Sequence, residues 1–86
     1  MYKYEDYKAE ILTDEGQREF LKTRDHVSRL LDKTGAVNMA CAMSATSGSS
    51  WKSMAYVDRL IELGEIVEVK RPNVAGQYRV FVRPGH

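Results

Sequence analysis

The clearest hydrophobic pattern in the chain lies between Ser49 and Gly64, where apolar residues recur at spacings of three and four. The apolar positions are Met54, Val57, Leu60 and Ile61. This spacing places them on one face of an α-helix. A serine at position 49 or 50 can cap the open amides of the first turn, and Gly64 can adopt the left-handed conformation that ends a helix. The pattern predicts an amphipathic helix over residues 50–63.

Directly after Gly64 the hydrophobic period changes from 3.6 to 2. Residues 65–70 and 77–83 alternate and are rich in β-branched and aromatic side chains, while residues 71–76 contain Pro, Asn and Gly. This arrangement predicts a β-hairpin. In its second strand we expect Tyr78, Val80 and Val82 to face the core. Alternation then turns the other side chains outward, namely Gln77, Arg79, Phe81 and Arg83.

The first half of the chain predicts two further helices and a short strand. Thr13 begins a long helix that buries a stripe of Phe20, Val27, Leu30 and Leu31, and Gly35 ends it. Ala36 and Val37 are expected to pair with the hairpin as a third strand. Asn38 is a predicted N-cap for a short helix over residues 39–45, and residues 46–50 form a tight turn.

Residues 1–12 precede these elements as a tyrosine-rich arm or short helix, so that the main domain covers residues 13–86. Tyr2, Tyr4 and Tyr7 lie in this segment. They either cover an open edge of the domain's own core or form a dimer contact, since tyrosine is enriched at interfaces. An outward Phe81 would also need cover, which makes Tyr2, Tyr4, Tyr7 and Phe81 the predicted dimer contact.

This order of elements resembles the winged helix-turn-helix superfamily of DNA-binding domains. Met43, Gly48, Met54 and Val57 carry the resemblance across the helix pair, and the run from Val57 to Ile66 matches an apolar-x-x-Leu-x-x-x-Gly-x-apolar pattern that such regulators share. The resemblance covers residues 13–83. It implies an α+β fold with a three-helix core and a C-terminal β-hairpin wing, and its small size is similar to phage or other small regulators.

The resemblance implies a DNA-binding transcriptional regulator. Residues 50–63 would be the recognition helix in the major groove of double-stranded DNA, and residues 70–79 would be the wing on the phosphate backbone. The hydroxyl groups and cations on these elements can donate to phosphates or base edges. The predicted DNA-binding residues are Ser49, Ser50, Lys52, Ser53, Tyr56, Arg59, Lys70, Arg71 and Arg79. A homodimer on a two-fold site is expected.

The charge distribution keeps a second function open. Residues 1–49 hold seven Lys/Arg and eight Asp/Glu (net −1), and residues 50–86 hold six and four (net +2). The recognition face would carry one Lys and one Arg beside Asp58 and Glu62. The alternative is therefore a winged-helix protein-interaction module, such as an anti-repressor or accessory subunit, with little DNA affinity. A DNA binder requires the basic residues on one continuous face, and a protein binder does not.

Other classes of protein are disfavoured by the sequence. No Ser-His-Asp or Cys-His set has recognisable spacing, and Gly48 is not followed by the Gly-Lys-Ser/Thr of a phosphate-binding loop. His26 is assigned to packing, and the single cysteine, Cys41, offers neither a disulfide nor a zinc cluster. No enzyme activity, metal or cofactor is expected. The chain has no apolar run of roughly 20 residues and no apolar leader, which favours a cytoplasmic location.

Overall fold

The computed structural model describes residues 2–70 and 78–85, which form four helices and three strands. The helices are α1 (Tyr4–Ile11), α2 (Asp14–Thr34), α3 (Met39–Met43) and α4 (Ser50–Glu62). The strands are β1 (Ala36–Asn38), β2 (Val67–Val69) and β3 (Val80–Val82). The fold is α+β, as predicted. The predicted wing tip, including Arg71, lies outside the described residues.

Side-chain caps begin α2, α3 and α4 at the predicted residues. The Oγ1 atom of Thr13 accepts a hydrogen bond from the amide of Gly16 at 3.0 Å, and the Oδ1 atom of Asn38 accepts one from the amide of Cys41 at 2.8 Å. Ser49 caps α4 in the same way. Each cap satisfies an amide that has no partner within the helix.

The end of α4 confirms the predicted role of Gly64, which adopts φ +77°. The amide of Glu65 donates to the carbonyl of Leu60 at 3.0 Å, and the amide of Gly64 donates to that of Ile61 at 3.0 Å. These two bonds form a Schellman motif, which satisfies the last carbonyls of the helix and turns the chain towards β2.

The three strands form one antiparallel sheet in the order β1-β3-β2, so the predicted short third strand is confirmed. Val37, Phe81 and Glu68 stand opposite one another in the register and therefore share the inner face of the sheet. Phe81 is 0% exposed, whereas Tyr78, which was expected to face the core, is 70% exposed.

The predicted facing of β3 is therefore wrong. Alternation defines two sets of side chains but does not say which set is buried, and an error of one residue reverses all of them. The sequence places Val80 and Val82 on one face and Phe81 on the other, so both sets are partly apolar. The structure buries the phenyl ring of Phe81 and leaves the valines on the outer face of the sheet.

Helix α4 lies at the centre of the domain, because α1, α2 and α3 all pack against it. The fully buried side chains around it include Val57 and Leu60 on one side and Ala55 on another. Met54 and Ile61, predicted as core residues, are only partly buried against this core. Burial on two sides leaves α4 with less free surface than a helix with a single buried face.

A close approach joins α1 to the start of α2. Gly16 lies in the first turn of α2, and a Cβ atom there would stand 2.0 Å from the carbonyl oxygen of Glu10. Thr13 donates a hydrogen bond to that same carbonyl at 2.7 Å, and Gln17 donates to the carbonyl of Ile11 at 2.7 Å. Residues 4–11 are thus a helix folded back onto the domain.

Removing the inward ring of Phe81 tests the register of the sheet. We expect Phe81→Ala to lower the free energy of unfolding by about 3–5 kcal/mol, because it empties a fully enclosed site. Tyr78→Ala is the matched control and is expected to change that free energy by about 0.5 kcal/mol or less. Urea unfolding followed by circular dichroism measures both, and equal losses would contradict the register.

Candidate functional site

Helix α1 and the preceding Tyr2 pack along one side of α4, the helix that was predicted to read DNA. The hydroxyl of Tyr2 donates a hydrogen bond to the carboxylate of Asp58, and the hydroxyl of Tyr4 donates to Glu62 at 2.9 Å. The Nζ atom of Lys8 lies 2.8 Å from the other carboxylate oxygen of Glu62. Three residues at the N-terminus therefore bind two acidic side chains of α4.

Aromatic packing extends the same contact towards the start of α4. The ring centroids of Tyr2 and Tyr7 are 5.9 Å apart, and Trp51 lies 6.5 Å from Tyr2 and 6.2 Å from Tyr7. These separations and the edge-on geometry of Tyr7 and Trp51 are typical of favourable aromatic pairs. Ala55, which follows Trp51 by one turn of α4, is 0% exposed.

Glu62 is the electrostatic centre of the contact between α1 and α4. Hydrogen bonds from Lys8, Arg59 and Tyr4 lower the pKa of its carboxyl group to about 2. Burial, together with the bond to Glu62, raises the pKa of the Tyr4 phenol to about 12. A carboxylate that accepts several hydrogen bonds is held in its charged form, so this cluster is stable at neutral pH.

A second ion-pair cluster forms where α4 meets the sheet. One guanidinium nitrogen of Arg79 lies 2.8 Å from Asp58 and 2.9 Å from Glu68, and the guanidinium stands over the ring of Phe81, 5.3 Å from its centroid. Burial lowers the pKa of Arg79, but the hydrogen bonds that its guanidinium donates to Glu68 and Asp58 outweigh this effect, and the net shift is upward. The partly buried guanidinium is thus held between α4 and the sheet and does not face outward as predicted.

The structure divides the predicted DNA-binding residues into three groups. Ser49, Ser50, Lys52 and Lys70 are exposed. Arg59 and Arg79 are partly buried in ion pairs. Ser53 and Tyr56 are only 4% and 7% exposed, so the prediction that they face outward is wrong.

The error on α4 has a physical reason. The sequence stripe was centred on Met54 and Ile61, but the observed core side of the helix is turned towards Ser53 and Tyr56. Ser53 is accepted there because its hydroxyl lies 2.9 Å from that of Thr46, within hydrogen-bonding distance. A hydroxyl group with a hydrogen-bond partner and a tyrosine ring both tolerate burial. The polarity of Ser53 and Tyr56 therefore did not predict which side of α4 they face.

The predicted dimer residues are used within one chain. Tyr2, Tyr4 and Tyr7 pack on α4 and the core, as the first of the two sequence alternatives expected. Phe81 belongs to the core, which corrects its assignment to a dimer contact.

Sequence reasoning did not identify the residues on the outer face of the sheet. Four valines and one alanine lie on this face, which is named here the outer sheet face: Ala36, Val67, Val69, Val80 and Val82. These residues stand in the two cross-strand rows on either side of the row that contains the buried Phe81. Val67 is 41% exposed. The alternation of the strands carried this signal, but it was assigned to the wrong side.

The described residues contain no group of three or more His, Cys, Asp or Glu side chains placed to hold a metal ion. None of their helices is long and apolar enough to cross a membrane. No protein-family model, curated protein or solved structure matches this chain.

The Glu62 cluster predicts a loss of stability in acid. Its folded-state pKa of about 2 lies below the ordinary value of 4.5. The contribution of the Glu62 cluster to the free energy of unfolding is therefore complete above about pH 4.5 and is lost as the pH falls towards 2. We expect Glu62→Gln to lower stability at pH 7 and to reduce the loss between pH 5 and about 2. Urea unfolding across this range measures the effect.

Glu65→Gln provides the matched control, since Glu65 is an exposed carboxylate three residues further on. This variant is expected to unfold like the wild type at every pH. An acid-dependent loss of stability that is the same in the wild type and in Glu62→Gln would contradict the proposed importance of the cluster.

Proposed function

We propose that this chain is a winged-helix protein-interaction module that keeps α4 away from DNA and meets a protein partner through its outer sheet face. The order α2-β1-α3-α4-β2-β3, with sheet order β1-β3-β2, supports the winged-helix part of the proposal. The observation that carries the rest is the position of α1 along α4.

The width of the DNA major groove favours this proposal over binding of α4 in that groove. An α-helix with its side chains is about 10–12 Å across, and the major groove is about 12 Å wide. The groove therefore admits one helix, whereas α4 carries α1 along the side of Trp51, Asp58 and Glu62. Among the predicted contact residues of α4 and its cap, Ser49, Ser50 and Lys52 at the start of the helix remain exposed to reach the phosphates.

Ion pairs within the chain also favour a protein-interaction module over a DNA-binding domain. Every described cation of the predicted DNA-contact set has a carboxylate partner within the chain. Lys52 lies 3.6 Å from Glu10, and Lys70 lies 3.6 Å from Glu68, while Arg59 and Arg79 are paired as described above. DNA binding draws most of its affinity from cations that release counterions from phosphates. Cations that are already neutralised offer less of this gain.

The outer sheet face supplies the positive argument for a protein partner. Contiguous exposed apolar side chains on a small domain mark interaction sites, and charged residues are depleted at the centre of protein interfaces. The outer sheet face fits this description in part: Ala36 and Val67 are exposed, the other three valines are half-buried, and the remaining residue of its two cross-strand rows is the uncharged Asn38.

DNA binding provides the first test. With mixed-sequence duplex DNA at physiological salt, we expect fluorescence anisotropy to show no affinity beyond ordinary non-specific binding, with Kd on the order of 10⁻⁴–10⁻⁶ M. Lys52→Glu/Arg59→Glu is expected to weaken that binding no more than Lys22→Glu/Arg24→Glu, the same charge change on α2. A far larger loss in the first variant would contradict the proposal.

The outer sheet face provides the second test. A protein captured by the immobilised wild-type chain is expected to be lost by Val67→Glu, because a charge placed within the interface would have to be desolvated. Leu21→Glu, at an exposed leucine of α2, is the matched control and is expected to retain the partner. Capture that survives Val67→Glu, with circular dichroism showing a folded chain, would move the partner to another face.

A DNA-binding transcriptional regulator is the second candidate function. It is favoured by the pair α3 and α4, which the turn over residues 44–49 joins with Ser49 as N-cap, and by the part-exposed polar contacts that hold α1 in place. This function requires α1 to leave α4. Salt-sensitive DNA binding that appears only in the full-length Tyr4→Phe/Lys8→Ala variant would support it over the protein-interaction module.

A further inference from the structure

An open cleft lies at the N-terminal end of α4, where the end of α1, the first turns of α2 and residues 47–49 meet. Its volume is about 490 Å³. The walls are polar: carboxylates and hydroxyls line most of the surface, and the glycines at 16 and 48 leave it wide. A cleft of this composition suits a charged group better than an apolar one.

The charge of the cleft is negative. Glu10, Glu15 and Glu19 line it, with Lys52 as the one cation among its described walls. Lys52 is held 3.6 Å from Glu10, and Glu19 is 3.3 Å from Lys22 on the neighbouring turn. Among the described residues Glu15 has no ion-pair partner. The cleft therefore retains acceptor capacity for an added cation.

The hydroxyl of Tyr56 is a second group at this cleft that has no partner among the described residues. Only 7% of the surface of Tyr56 is exposed, yet its hydroxyl makes no hydrogen bond with any other described residue. No side-chain oxygen or nitrogen of the described residues is both fully enclosed and unpartnered. The hydroxyl must therefore reach the open space that its residue borders, which is the cleft.

The chemistry of Tyr56 is matched to an N–H donor. Burial raises its pKa, Lys52 opposes this rise, and Glu19, Glu15 and Glu10 add to it. The phenol is thus neutral at physiological pH and its oxygen can accept a hydrogen bond. An ammonium or guanidinium group in the cleft can donate to this oxygen and to the adjacent carboxylates together, as charge-assisted hydrogen bonds.

We propose that the cleft binds the ammonium or guanidinium group of a lysine or arginine side chain presented by the partner protein. This inference rests on the proposed protein-interaction function and names the chemistry of the partner. The cleft opens at the surface beside the contact of α1 and α4, so an occupied cleft would hold α1 and the start of α2 and α4 together through the bound cation.

Nuclear magnetic resonance titration tests the cleft without any partner protein. The probes are butylguanidinium and butylammonium, with neutral butylurea as the matched control. We expect both cations to shift the amide resonances of Gly16 and Gly48 at millimolar concentrations, with affinity that falls as salt is added. Butylurea is expected to leave them unchanged. Equal shifts by butylurea, or none with either cation, would overturn the proposal.

Variants assign the binding to the named groups. Tyr56→Phe removes only the hydroxyl, and Glu15→Gln neutralises an exposed carboxylate. Each is expected to weaken butylguanidinium binding about three- to tenfold, whereas Glu5→Gln, on the exposed side of α1, leaves it unchanged. If Tyr56→Phe fails to fold, Glu15→Gln still decides the matter, and wild-type affinity in that variant would overturn the proposal.

The source of the cation is tested separately. A short arginine-containing peptide that binds more tightly than butylguanidinium supports a partner protein, while a free diamine that binds more tightly than the peptide would overturn that assignment. Cation binding together with tight, Lys52-dependent DNA binding would refute the proposed function but leave the cleft assignment in place. The two failures are therefore distinguishable.

Discussion

The position of α1 on α4 is the contact on which the rest of this structure depends. It requires a glycine at position 16, because the carbonyl of Glu10 lies where a Cβ atom would stand, and it is held by phenol and ammonium donors to acidic side chains of α4. The contact turns α4 from a helix with one free face into a central element that is packed on two sides. That change fixes how much of the surface of α4 remains exposed.

Charge pairing within the chain determines where its cations lie, and the sequence holds 13 basic and 12 acidic residues. Net charge near zero leaves open whether cations form one patch or are neutralised singly. Each described cation of the predicted DNA-contact set stands beside a carboxylate, and the partly buried pairs of Arg79 join α4 to the sheet. The Arg79 guanidinium thus positions elements of the fold, since a desolvated cation that is held by two carboxylates is costly to remove.

Local signals in the sequence predicted the elements well, while the facing of their side chains required the assembled fold. Caps at Thr13, Asn38 and Ser49 and the stop at Gly64 are set by residues within a few positions, and the structure confirms them. The orientations of Phe81 and Tyr56 depend on which neighbour covers which side. Neither periodicity nor polarity contains that information, because both faces carried apolar residues and α1 could have been an arm.

The junction at Asn38 has a mechanical consequence. This residue ends β1 and also caps α3, and the amide of the next residue, Met39, donates to the carbonyl of Arg79 at 2.7 Å beside β3. No loop separates sheet from helix at this point, so no compliant segment exists there to absorb a displacement. A displacement of β1 is therefore transmitted directly to the start of α3.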